Sequence, residues 1–340
     1  MLTVLLITLF LAGLLITKSS TKLMPLWFPP VVPDARSNHK TPTPSGAGAG
    51  IMLIISGGLV GGYAGYYSLP DFFSHPSVIA SIIVLTLVSF VDDVKNLPVK
   101  LRLITQALCL AIIYPVFAEY FSALEYIPIA FGLLVFMNLC NFMDGIDGMA
   151  ATETISIAIG SAAIAYIVVG GMAYPYIHAC IIVGAPVAGF LIYNWHPARI
   201  FMGDSGSVPL GLLTGILLVI IANAEELQAA LLLPAYYLVD SLTTITRRLL
   251  DGEKIWQAHS RHFYQLAVRS GRSHSWVVLR ISAINIMLIL LAVATLYSDE
   301  FWGWIIVCVG YIFSAALCYF FWRLWYSSKL QENKQIVAET

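Results

Sequence analysis

Apolar runs of membrane-spanning length recur along the whole chain, and the basic residues fall only in alternate gaps between them. A span needs roughly 20 mostly apolar residues. Runs of this kind occupy residues 2–17, 46–67, 76–91, 103–118, 126–141, 152–171, 174–193, 207–223, 227–243, 276–297 and 302–322. Every second gap, starting with the first, is basic. These gaps hold Lys18, Lys22, Arg36 and Lys40; then Lys95, Lys100 and Arg102; then Arg199; then Arg247, Arg248, Lys254, Arg261, Arg269 and Arg272. Arg323, Lys329 and Lys334 follow the last run, and Arg280 lies just inside the tenth, which accounts for all 18 Lys and Arg. The opposite gaps carry only acids: Asp71, Glu119, Glu125, Glu225, Glu226, Asp299 and Glu300. Loops rich in Lys and Arg stay in the cytoplasm.

The pattern therefore predicts an all-α, polytopic integral membrane protein of about 11 transmembrane helices. The N-terminus is expected in the periplasm and the C-terminus in the cytoplasm. Residues 1–340 read as a single transmembrane domain. Its cytoplasmic loops are expected near 18–45, 92–102, 142–151, 194–206 and 244–275, with a tail at 323–340. Composition agrees: 59% of residues are hydrophobic and 11% charged, with mean hydropathy +0.82, where a soluble domain has roughly 25% charged residues. The first run lacks a basic leader and reads as a retained span. The five cysteines lie in or at the ends of runs without a C-x-x-C pair, so neither a disulfide framework nor a zinc site is expected. Nothing points to a nucleic-acid partner.

Five aspartates fall on the basic face, where an unpaired carboxylate beside a bilayer is costly and marks a candidate site. Asp92 and Asp93 are adjacent at the end of one run. Two such carboxylates repel unless a cation or donors intervene, so the pair suits a metal, a proton acceptor or the anchoring of nearby bases. Asn138, Asn141, Asp144 and Asp147 recur every third residue. On a helix that spacing forms one stripe, and four oxygen donors there suit a hard cation such as Mg²⁺ with a phosphate-bearing substrate. Asp204 lies between Gly203 and Ser205 at the start of another run, where a helix N-terminus attracts anions. Lys40 precedes Thr41-Pro42-Thr43-Pro44 and offers a point charge to a phosphate. The last loop is the longest and most basic. Its His259-Ser260-Arg261-His262 suits contact with an anionic substrate, or with anionic lipid headgroups.

A hard-cation site, basic groups and a membrane surface together are what phosphoryl transfer between a soluble nucleotide and a lipid requires. In Asp92-Asp93, in the N-x-x-N-x-x-D-G-x-D block from Asn138 and in Phe201-Met202-Gly203-Asp204-Ser205-Gly206-Ser207, the chain resembles the polyprenyl-phosphate N-acetylhexosamine-1-phosphate transferase superfamily, glycosyltransferase family 4. The resemblance implies a Mg²⁺-dependent enzyme, with Mn²⁺ as a substitute, in the bacterial inner membrane. It would transfer an N-acetylhexosamine-1-phosphate from a UDP-sugar to undecaprenyl phosphate and release UMP. Position by position, it implies that Asp204 is the principal metal ligand, with Asp144 and Asp147 lining the same cleft. Asn138, Asn141 and Asn194 would support the diphosphate, Phe201 would stack on uracil, and Lys40 would reach the phosphates. Asp92 and Asp93 would sit near the lipid phosphate, as base or orienting group. His259, Arg261 and the catalytic-loop His262 would cover the sugar and diphosphate.

Within the superfamily, His259-Ser260-Arg261-His262 replaces the three-histidine run of the muramoyl-pentapeptide transferases. An eleventh span with a cytoplasmic tail points the same way, toward transferases that initiate O-antigen synthesis. The muramoyl-pentapeptide transferase is the alternative. Two other phosphotransfer motifs fail: Thr152 stands where a CDP-alcohol phosphotransferase needs Arg, and Ala47 where a P-S-G-H phosphatase needs His. A transporter or flippase would place charges mid-span with access from both faces; here the acids gather on one face. Homodimerisation is left open.

Overall fold

The computed structural model describes residues 1–27, 42–254 and 259–339, with side chains described for all but 26, 27 and 333–339. The chain is helical throughout these residues: α1 (Leu2–Trp27), α2 (Ala47–Tyr63), α3 (Asp71–Ser74), α4 (Pro76–Lys95), α5 (Val99–Phe117), α6 (Ala123–Met143), α7 (Met149–Val169), α8 (Tyr174–Asn194), α9 (Asp204–Asn223), α10 (Leu227–Leu232), α11 (Ala235–Leu250), α12 (Phe263–Arg269), α13 (His274–Thr295) and α14 (Glu300–Glu339). Eight segments among them are long and apolar enough to cross a membrane. One, Met149–Asn194, is 46 residues long and consists of α7 and α8 joined by a 3₁₀ turn at Gly170–Ala173. The molecule is a polytopic membrane protein.

The run at 227–243 is not one continuous helix. It breaks between α10 and α11, where Pro234 is the N-cap of α11, because proline cannot donate into the preceding turn. α11 then carries Asp240, Arg247 and Arg248 toward the basic loop. Helices also extend past the predicted runs. α1 continues to Trp27 and α14 to Glu339, so the expected first loop and tail are partly helical.

α9 is the central helix. Its most apolar window is 78% buried, against 17–33% for the other spans, and it packs on α2, α4, α6, α7 and α10. Small residues permit this. A Cβ added to Gly48 of α2 would lie 2.4 Å from the Cα of Gly206 on α9, and helices in a bilayer pack closely where such residues meet. The same crossing serves the backbone of α2. The Ala47 N–H donates to the Phe201 carbonyl (3.2 Å) and the Gly48 N–H to the Met202 carbonyl (2.9 Å), satisfying first-turn donors that have no partner in their own helix. The Phe201 N–H returns a bond to the Pro44 carbonyl at 2.8 Å.

Gly203 fixes the entry to α9. Its φ of 78° and ψ of 170° lie in a region open essentially to glycine alone. An added Cβ would meet the Asp93 Oδ2 at 2.6 Å. Gly203→Ala is therefore expected to destabilise the start of α9 by about 1–3 kcal/mol. The check is a lower melting temperature in detergent.

Candidate active site

Asp92 and Asp93 are adjacent in sequence and separate in role. Successive residues on a helix point about 100° apart. Asp93 turns toward α9 and accepts the N–H groups of Asp204 (2.8 Å) and Ser205 (3.1 Å). A carboxylate from one helix thus caps the N-terminus of another, where free N–H groups and the helix dipole favour negative charge. Asp92 turns toward α5. It is buried, accepts the Leu97 N–H at 2.6 Å and pairs with the Arg102 Nη1 at 2.9 Å. The same Nη1 lies 3.4 Å from the Asp204 Oδ2, so Arg102 bridges the two carboxylates.

The every-third-residue pattern does not form one stripe. α6 ends at Met143, and Asp144 is its C-cap, with φ −84° and ψ 44°. Asn138 and Asn141 remain on the helix. The Asn138 amide donates to the Gln106 Oε1 and the Leu134 carbonyl, both at 2.7 Å. The Asn141 Nδ2 donates to the Ser207 Oγ at 3.0 Å and also hydrogen-bonds the Asp204 side chain. Asp144 faces the cluster. Burial first, then the charges of Asp204, Asp93 and Asp147, hold its carboxyl well above the ordinary carboxylate range.

Past the turn, Asp147 points elsewhere. Its Oδ2 accepts from the His196 Nδ1 (2.7 Å) and the Ala198 N–H (3.1 Å), and its Oδ1 lies 3.1 Å from the His274 Nδ1. The two imidazoles pack at 4.8 Å between centroids. Burial alone would raise the Asp147 carboxyl. The hydrogen bonds from His274, His196 and Ala198 and the His274 charge outweigh it, and the group sits below its usual range. Asn194 is used structurally. Its Oδ1 accepts the Gly148 N–H (2.8 Å) and its Nδ2 donates to the Ile200 carbonyl (2.9 Å). This pins the 195–203 segment to the start of α7. Phe201 is half-buried in that segment. Lys40 lies outside the described residues.

The basic loop is organised by Asp240, a fully buried carboxylate on α11. It accepts the His262 Nδ1 (2.9 Å), the Phe263 and Tyr264 N–H groups (both 3.1 Å), the Tyr236 hydroxyl (3.2 Å) and the Thr244 hydroxyl (3.3 Å). His259 stacks on His262 with centroids 4.9 Å apart. Burial first, then the neighbouring His262 and Arg248 charges, push His259 down to about 4. It is thus neutral near pH 7. Arg261 is paired with Asp251 and Glu253. The loop abuts the acidic turn, since the Tyr264 hydroxyl donates to the Phe142 carbonyl at 3.1 Å.

Beside these groups lies a cavity of about 350 Å³. Its lining includes Asp92, Arg102, Gln106, Asn138, Asn141 and Asp204, together with mostly apolar side chains of α4, α5, α6, α9 and α11. Residues 75–222 match the family model described as Glycosyl transferase family 4. The matched segment carries every aspartate of the cluster and ends before Asp240 and the basic loop. Two curated relatives are similar. One is a "Probable undecaprenyl-phosphate N-acetylglucosaminyl 1-phosphate transferase" of Bacillus subtilis (strain 168), 33% identical over 172 residues, or 48% of this chain and 47% of the relative. The other is a "Phospho-N-acetylmuramoyl-pentapeptide-transferase" of Phenylobacterium zucineum (strain HLK1), 31% identical over 206 residues, or 55% and 54%. The chain spans about half the length of the curated relatives it matches.

Sequence reasoning missed four groups that build this candidate site. Arg102 read as a topology charge, and Asp240 sat inside a run taken as a span. His196 and His274 are 78 positions apart and meet over Asp147. Only the placement of α13 beside α7 brings them together.

Proposed function

We propose that this chain is a glycosyl transferase of family 4 that transfers a sugar-1-phosphate from a nucleotide sugar to a polyprenyl phosphate. The finer reading is a UDP-N-acetylhexosamine donor, undecaprenyl phosphate as acceptor and UMP as product, in the bacterial inner membrane with the site facing the cytoplasm. The observation that carries it is the cavity, whose lining is mostly apolar and includes the Arg102 guanidinium and the Asn138 and Asn141 amides beside the Asp92 and Asp204 carboxylates. That is the chemistry of a phosphate on a long hydrocarbon.

The donor set suits a hard divalent cation. Asp204, Asp144 and the Asn141 amide offer only oxygen ligands, and the repulsion that holds the Asp144 carboxyl high is what a cation would relieve. When bound, Mg²⁺ would neutralise charge on the diphosphate. Asp147 takes a lesser part in such a site, because its carboxylate already meets two imidazoles and a backbone N–H.

The residues then divide the work. Arg102, steadied by Asp92, holds the lipid phosphate beside Asp204. Asp93 fixes the start of α9 and with it the position of Asp204, so its role is structural rather than that of a base. Phe201 stacks on the uracil. Arg261 and His262 close over the sugar and diphosphate. An oxygen of the lipid phosphate attacks the sugar-linked phosphorus, the bond to the bridging oxygen breaks, and UMP leaves. A phosphate monoester is already largely ionised near neutral pH, so no strong base is required.

Two donor classes stand side by side. A simple UDP-N-acetylhexosamine, as in O-antigen initiation, is favoured by the basic-loop sequence. UDP-linked N-acetylmuramoyl-pentapeptide is favoured by the similarity to the P. zucineum protein. Membranes containing the chain, given undecaprenyl phosphate, Mg²⁺ and each UDP-sugar in turn, are expected to release UMP with one of them. No release with any donor would overturn the reading.

A further inference from the structure

Three primary amides line the cavity that holds Arg102: Gln106, Asn138 and Asn141. Each has two N–H donors and one carbonyl acceptor, so their hydrogens can be counted. Asn138 spends both, on the Gln106 Oε1 and on the Leu134 carbonyl. Asn141 also spends both, on the Ser207 Oγ and on the Asp204 carboxylate. Gln106 differs. The Leu134 carbonyl can only accept, which identifies the Asn138 atom beside it as Nδ2. What Gln106 presents to that nitrogen must then be its acceptor, Oε1. The Gln106 Nε2 is left with two hydrogens that no acceptor takes among the described residues. The side chain is only 4% exposed, yet Nε2 is not among the polar atoms sealed without a partner. The space open to it is the cavity. A nearly buried donor without an acceptor is costly, so this one calls for a ligand.

Its neighbours say which ligand. Gln106 follows Arg102 by four residues on α5, and side chains at that spacing share one face of a helix. Arg102 is divided between the Asp92 and Asp204 carboxylates, so its charge is already offset. A phosphate held there gains from further donors that are not tied to an acid. A neutral amide supplies them and keeps them at every pH. We infer that Gln106 is a substrate-contacting residue whose Nε2 donates to a phosphate oxygen of the polyprenyl phosphate, with Asn138 as the positioning residue that fixes which end of the amide faces the cavity. This rests on the reading of the cavity as the lipid-phosphate site and names a contact that Arg102 does not supply.

The two ends of the amide can be separated by substitution. Gln106→Glu keeps an oxygen for Asn138 and replaces the donor with an acceptor, whereas Gln106→Leu removes both. The full-length protein in detergent, with Mg²⁺ present, is titrated with undecaprenyl phosphate, with undecaprenol, which lacks the phosphate, and with UDP. Both variants are expected to bind undecaprenyl phosphate about 10- to 100-fold more weakly, the range for a hydrogen bond to a charged group. Their KM for that lipid should rise in step, while undecaprenol and UDP binding stay as in wild type. Asn138→Ala should add little to Gln106→Leu, because groups acting through one another are not additive. Undecaprenyl phosphate binding at the wild-type level in Gln106→Glu would mean that the residue only anchors Asn138, and would overturn the inference. Equal losses of undecaprenol and UDP binding in both variants would assign Gln106 to the fold of the cleft and would overturn it too. A wild-type protein that binds undecaprenyl phosphate no better than undecaprenol would instead remove the reading of the cavity on which the inference rests.

Discussion

Asp204→Asn is expected to lower turnover by roughly 10³-fold while leaving the helical bundle intact. The two effects separate because Asp204 does two jobs with different atoms. Its backbone N–H, capped by Asp93 at 2.8 Å, holds α9 and is untouched by the substitution. Its carboxylate sits 3.4 Å from the Arg102 Nη1, bonded to Asn141 and near Asp144. On the proposed reading, removing that charge removes the strongest ligand for a hard cation. Charge stabilisation by such a cation amounts to several kcal/mol, and each 1.36 kcal/mol is about tenfold in rate. Arg102 keeps Asp92 as a partner, so no buried charge is left alone. The checks are UMP release under saturating donor and a melting temperature that does not fall. Full activity in Asp204→Asn would move the cation site away from α9.

The second large effect is structural. Asp240→Ala is expected to cost several kcal/mol, since each buried donor left without an acceptor costs about 1–3 kcal/mol. Asp240 is 0% exposed and holds the His262 ring, two backbone N–H groups of α12 and two hydroxyls. Alanine would leave all of these donors buried without an acceptor. The loop of His259, Arg261 and His262 would lose its attachment to α11, so activity should fall along with the melting temperature. This contrasts with Asp204→Asn, where activity falls alone. Wild-type stability in Asp240→Ala would mean that α12 is held by packing on the Phe142–Gly145 turn rather than by the carboxylate.

The fold class was legible in the sequence because a bilayer imposes long apolar runs and a bias in Lys and Arg. The break inside 227–243 was harder to see. A proline in an apolar run is tolerated in many membrane helices, and only the positions of α10 and α11 show that Pro234 ends one helix and starts the next. The acidic groups were legible as a set and not as individuals. Adjacent Asp92 and Asp93 read as one pair, yet helical geometry sends one to Arg102 and the other to the start of α9. The spacing from Asn138 to Asp147 suggested one stripe, but α6 stops at Met143 and Asp147 joins a different cluster. Contacts such as His274 with Asp147, or the buried Glu153 with Asn285 at 2.6 Å, bridge α13 to α7 and its preceding turn over more than 120 residues. No local pattern encodes them.

The central claim is that phosphorus moves with the sugar. The most direct measurement supplies a UDP-N-acetylhexosamine carrying ³²P only at the sugar-linked phosphate, with undecaprenyl phosphate as acceptor. The account predicts that the label passes into the lipid-extractable product and that the released nucleotide is unlabelled UMP. Label retained in released UDP would mean that the sugar–oxygen bond is broken instead, and would contradict the account.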